Sequence, residues 1–166
     1  MYPANETYTD LMSVAFYNAL QDSNMLIPTG FPNPGPLFPG DRFSVQLGGD
    51  AAMVGSKDKV VLPLASPGTY LTIGRSYGTE TGYCGSDPYV DIRAYVPFSV
   101  WSQTMATQDD VEQRLEFSRQ HRQNIYSNYG LGIVSKQVIG ARPRTNSPIT
   151  GLVVVDYRWE FFYFRD

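Results

Sequence analysis

The sequence predicts an α+β domain: an antiparallel or mixed β-sheet flanked by two α-helices, with a long Pro/Gly-rich loop. Three observations predict it. Residues 89–101 alternate, with Val90, Ile92, Ala94, Val96, Phe98 and Val100 on one side and Tyr89, Asp91, Arg93, Tyr95, Ser99 and Trp101 on the other. That period of two is what a strand with one buried face requires. Residues 151–164 alternate in the same way, whereas 7–23 and 108–127 repeat at steps of three and four, the helical period. With 166 residues, 42% hydrophobic, 17% charged and a formal net charge of −3, the chain suits one domain over 1–166 and excludes disorder as the main state.

In chain order, residues 7–23 come first. Thr7 can cap this helix, and Asp10 completes a capping-box-like pair. Tyr8, Leu11, Met12, Ala15, Phe16, Ala19 and Leu20 form one apolar face. Residues 28–40 are different, because Pro28, Pro32, Pro34, Pro36 and Pro39 with Gly30, Gly35 and Gly40 fill eight of thirteen positions. Proline's fixed φ and missing donor exclude helix and central strand. Phe31, Leu37 and Phe38 lie among them, too apolar for a free linker. The segment is therefore either a stiff extended arm laid on another surface or a loop packed on its own core.

Asp41–Leu47 predicts a short strand ended by Gly48-Gly49, and 50–58 a turn or loop. Lys59–Leu64 and Thr69–Gly74 predict two strands joined by Ala65-Ser66-Pro67-Gly68. Residues 75–88, rich in Gly, Ser, Thr and Tyr, predict a surface loop. In the 89–101 strand, Pro97 has no N–H to give, which places that end near an edge or a bulge. The second helix, over 108–127, is expected to be capped by Thr107. Its acidic start (Asp109, Asp110, Glu112) and basic end (Arg119, His121, Arg122) complement the helix dipole, and Gly130 terminates it. Leu131–Ile139 predicts a strand and Gly140–Ser147 a polar loop. The closing strand has Val153, Val155, Tyr157, Trp159, Phe161 and Tyr163 on one face. Leu152, Val154, Phe162 and Phe164 make the ends of its other face apolar, so it touches something on both sides.

Several function classes find little support. Lys and Arg total 13 against 16 Asp and Glu, so sequence-specific nucleic-acid binding is not expected. One cysteine, Cys84, and one histidine, His121, cannot supply a structural zinc site, and Cys84 has no internal disulfide partner. No apolar run reaches the roughly 20 residues that span a bilayer. Met1–Thr9 is polar and lacks the pattern of a signal peptide, so the expectation is a soluble chain, not anchored to a membrane. No phosphate-binding loop, dinucleotide fingerprint or nucleophile elbow occurs, and no cofactor is expected. Cys84 with His121 is a poor nucleophile–base pair, because His121 falls at a charged helix end. Asp109 and Asp110 serve a helix start, and Asp87 and Asp91 flank a strand start with nothing converging on them. The expectation is a non-enzymatic protein. Its 12 tyrosines suit a protein interface or a ligand-binding surface, as well as ordinary strands.

The layout carries a resemblance. An amphipathic N-terminal helix is followed by a long loop and short strands, then by the strand ending at Trp101. A helix opening Thr107-Gln108-Asp109-Asp110-Val111-Glu112-Gln113-Arg114-Leu115 comes next, and Leu152–Phe164 closes the chain. In order and spacing, over most of its length, the chain resembles the tail-terminator (tail-completion, neck) proteins of long-tailed bacteriophages. The resemblance implies a small subunit, made in the host cytoplasm, that forms a hexameric ring in the virion. That ring caps the tail tube, joins it to the head connector and contacts other tail and neck proteins. It carries no catalytic residues. The 28–40 insertion and the tyrosine-containing 75–88 segment depart from the shorter members. They leave open another neck, tail-tube or baseplate subunit, and the tyrosines leave open a soluble ligand-binding domain. The candidate subunit-interface residues are Phe31, Leu37 and Phe38 of the arm. Arg142 and Arg144 join them, because Pro143 holds the two guanidinium groups apart for carboxylates on a neighbour.

Overall fold

The computed structural model describes residues 8–40, 43–47, 69–83, 90–102, 104–143 and 153–163. Helix α1 (Tyr8–Leu20) leads into a miniature antiparallel hairpin of β1 (Leu26–Ile27) and β2 (Gly35–Pro36). The main sheet contains β3 (Phe43–Leu47), β4 (Thr69–Ile73), β5 (Tyr77–Tyr83) and β6 (Val90–Ser102). Helices α2 (Met105–His121) and α3 (Gln123–Asn128) follow, and β7 (Leu131–Pro143) and β8 (Val153–Tyr163) complete the sheet. Its order is β3-β4-β6-β8-β7, with β5 also paired to β6. The β3–β4 pair is parallel and the other described pairs are antiparallel, so the sheet is mixed and the fold is α+β.

Strand β6 is the spine. One edge pairs with β8 from Ile92↔Tyr163 to Ser102↔Val153. The other edge is shared end to end, with β4 opposite Phe98–Trp101 and β5 opposite Val90–Tyr95. Pro97 falls between those two partners. It lies inside a central strand, two residues past an irregularity in the β5 pairing (Tyr77↔Tyr95, Glu80↔Arg93), where the sequence suggested an edge or a bulge. Its carbonyl accepts from Gly74 N–H at 2.8 Å, on the side where the partner strand is interrupted and no donor is needed from it.

The alternation seen in the sequence sets the core. Ala94, Val96, Phe98 and Val100 of β6 lie directly across from Phe161, Trp159, Tyr157 and Val155 of β8, and all eight are buried. Phe16 of α1 is fully buried on this face. Its ring centroid lies 5.5 Å from Phe98, 5.5 Å from Trp159, 5.2 Å from Phe161 and 6.2 Å from Tyr126 of α3. Val111 and Leu115 of α2 and Ile125 of α3 belong to the same core. The opposite face is also buried at one end, where Tyr70, Thr72, Ser99, Trp101 and Val154 cluster and Trp101 Nε1 donates to Thr72 Oγ1 at 3.0 Å. That burial fits the apolar Val154 read at one end of the second face of β8, while Leu152 and Phe164 lie outside the described residues.

Other expectations change. Residues 77–83 form a strand, not a loop, because β6 offers them a pairing edge. The second helix starts at Met105, and its cap is Thr104, whose Oγ1 accepts from Thr107 N–H at 3.2 Å. It also breaks at Arg122 (φ −125°, ψ 30°), so among the described residues three helices stand where two were expected. Gly130 does end α3, in the left-handed region at φ 81°. Strand β7 runs on to Pro143, which places Arg142 opposite Val154 in register and not in a loop. Thr7, the 59–64 strand, Cys84, Asp87 and Arg144 lie outside the described residues.

Candidate functional site

The Pro/Gly-rich segment folds back on its own chain. Gly30 (φ 103°), Asn33 (φ 56°) and Gly35 (φ 116°) supply left-handed turns, and Leu37 N–H then donates to Met25 O at 3.1 Å. Leu37 is 2% exposed and joins the core. Phe38 is half-buried, with its ring 5.8 Å from Phe43. Of the two dispositions that the sequence left open, this is the loop packed on its own core.

Two arginines from the α2 region fasten the hairpin. Arg114 is 3% exposed, and its Nη1 donates to the carbonyls of Pro36 (3.2 Å) and Leu37 (3.0 Å). Its Nε donates to Asp110 Oδ2 at 3.2 Å, and its guanidinium lies 5.5 Å from the Phe43 ring centroid. The buried charge is thus paired and hydrogen-bonded. Arg122 donates to Leu26 O from Nε (3.0 Å) and Nη2 (2.7 Å) and sits 5.2 Å over Phe117.

Between these two fastenings the hairpin tip stands slightly off α2, leaving a cleft of about 250 Å³. Phe31, 42% exposed, forms one wall. Its ring meets Phe117 edge-on at 5.0 Å and His121 at 5.5 Å, while Phe117 and His121 are 4.9 Å apart. Asn33 Nδ2 donates to Asp110 Oδ1 at 2.9 Å across the opening, and Gln113 and Gln120 complete the polar rim. Among the described residues, Phe31 alone of the predicted site residues lines this cleft. Arg142 belongs to the end of β7 that pairs with Val153 and Val154 of β8. Sequence reasoning missed Gln113 and Phe117, whose roles appear only once the hairpin is laid beside them. It read His121 as a helix-end charge, and the ring contacts add a second role.

The far face of the sheet carries a second network. Arg93 Nη2 pairs with Glu160 Oε1 at 2.7 Å and lies 5.5 Å over Phe162, while Arg158 lies 4.6 Å over Tyr95 and donates to Tyr77 Oη at 3.2 Å. The Arg93 hydrogen bond holds the Glu160 carboxyl below the usual range. On α2, hydrogen bonds from Arg119 and then Lys136 bring Glu116 down to about 2. Burial pushes the Tyr126 and Tyr157 hydroxyls well above the ordinary tyrosine value. These tyrosines serve the core, and among those with described side chains only Tyr77 is exposed. Among the described residues, no cluster of three or more His, Cys, Asp or Glu could hold a metal ion, and no helix is long and apolar enough to cross a membrane. No protein-family model and no curated protein matches this sequence.

Proposed function

We propose that this chain is a structural virion subunit of the tail-terminator kind, assembling with copies of itself into a ring at the end of a phage tail tube. The observation that carries this reading is the order of elements: α1, a long excursion, β6 with Trp101 near its end, the helices α2 and α3, and two closing strands. Its support is that α1 and α2 pack on one face of a single mixed sheet, as the resemblance implies for a compact subunit. The reading is non-enzymatic and needs no cofactor. Ring contacts are assigned to Arg142, Arg144 and the exposed ring of Phe31, whereas Leu37 is occupied within its own chain.

Light scattering and negative-stain electron microscopy of the purified chain, alone and with isolated tail tubes, test this. Six-fold rings, or chains seated on tube ends, are expected. Reversing both charges with Arg142→Glu and Arg144→Glu should abolish them at physiological salt without changing the circular dichroism spectrum. A chain that stays monomeric under both conditions refutes the proposal.

A further inference from the structure

We propose that the cleft between the 28–36 hairpin and α2 is a binding site for one uncharged sugar ring. The inference concerns the unassembled chain, because the ring-subunit reading gives the Phe31 ring to a neighbouring copy. Its chemistry follows from which lining groups are already engaged. Asp110 gives one oxygen to Asn33 and the other to Arg114, and Arg114 is held by Asp110 and two backbone carbonyls. The carboxylate and guanidinium in the lining are therefore committed to each other, and a charged ligand would have to compete with that ion pair. An ammonium ligand is further disfavoured because Arg122 already occupies the Phe117 ring.

What remains free is neutral and polar. The Gln113 carboxamide, Asn33 Oδ1, Gln120 Oε1 and the His121 ring nitrogens make no hydrogen bond among the described residues, and all belong to cleft-lining side chains. Beside them stands the exposed ring of Phe31, set edge-on against Phe117. A pyranose matches both halves: its C–H face is apolar enough to lie on an aromatic ring, and its hydroxyls both donate and accept, as carboxamides and imidazole do. Size selects a single ring. At about 250 Å³ the cleft falls below the roughly 300–1,000 Å³ of drug-sized sites. A proline-rich peptide, the other ligand class that favours aromatic grooves, runs along an extended groove for several residues.

The test is a two-dimensional amide NMR titration of the whole chain with glucose, galactose, mannose and N-acetylglucosamine in turn, and with open-chain sorbitol as control. We expect at least one pyranose to shift the amides of Phe31, Asn33, Gln113 and Phe117 saturably, with a Kd of order 1 mM, and sorbitol to do so at least tenfold more weakly. Gln113→Ala, at an exposed helix position, should weaken binding about tenfold with the remaining spectrum preserved, and Phe31→Ala should remove it. Gln123→Ala on α3 should bind as the parent does. Three results overturn the proposal: no saturable shift with any pyranose, equal binding by Gln113→Ala, or a proline-rich peptide shifting these amides where sugars do not.

Discussion

Replacing Leu37 with alanine separates the two dispositions of the 28–40 segment. Leu37 is 2% exposed and packed into the core shared by α1 and the sheet. Truncating such a leucine removes its transfer free energy and leaves a cavity, together costing about 2–5 kcal/mol. In a chain of this length each kcal/mol moves the melting temperature by roughly 2–4 °C, so a mid-range loss of about 3 kcal/mol lowers it by ~6–12 °C. Thermal melts followed by circular dichroism, on protein dilute enough to be monomeric, read this directly. Phe31→Ala is the control: 42% exposed, it should cost about 1 kcal/mol or less and move the melt by a few degrees. Deleting residues 30–38 removes Leu37 and both carbonyl acceptors of Arg114 together, and should leave no cooperative transition. A Leu37→Ala chain that melts within ~2 °C of the parent would show that this side chain stabilises something other than its own subunit.

Three further outcomes are expected. Arg114→Met keeps the volume but leaves the Pro36 and Leu37 carbonyls without their donor, so denaturant unfolding should show a loss of about 1–3 kcal/mol; an unchanged midpoint would remove the arginine from the account of the hairpin. Glu116 and Glu160 have folded-state pKa values below their unfolded ones, so their stabilisation is present above about pH 4.3 and is lost as pH falls toward 2. The melting temperature should fall across that window, and Glu116→Gln should flatten the fall; an equally steep profile in the variant refutes the assignment. Gly130→Ala forces a Cβ into the left-handed region at φ 81° and should destabilise by roughly 1–2 kcal/mol in the same melts, whereas a neutral result would mean the turn relaxes.

The parts of the fold legible in the sequence are those whose pattern and burial coincide. β6 and β8 alternate because one face meets the helices, and α1 carries its apolar stripe for the same reason. β5 was not legible: Gly78, Glu80 and Gly82 weaken the strand signal of its tyrosines and threonines, and it takes the edge that β6 leaves open to make this segment a strand. Nor was the break between α2 and α3, where Arg122 is drawn to the Leu26 carbonyl 96 residues away. The cleft was half legible. Phe31 stood out as a large apolar group among prolines, but Gln113 and Phe117 look like ordinary helix residues until Arg114 draws residues 36 and 37 to their side of α2.

The enclosure of Phe16 has a consequence for how the protein is made. Three of its ring partners, Tyr126, Trp159 and Phe161, are synthesised more than a hundred residues after it. Translation adds about 5–20 residues per second, so α1 waits roughly 7–30 s for its last partner. Strand β8 lies between β6 and β7 in the sheet and is the last described element in chain order, so the sheet cannot close before it arrives. Nascent chains halted before residue 153 therefore display the apolar faces of α1 and β6 together, and belong to holding chaperones and proteases.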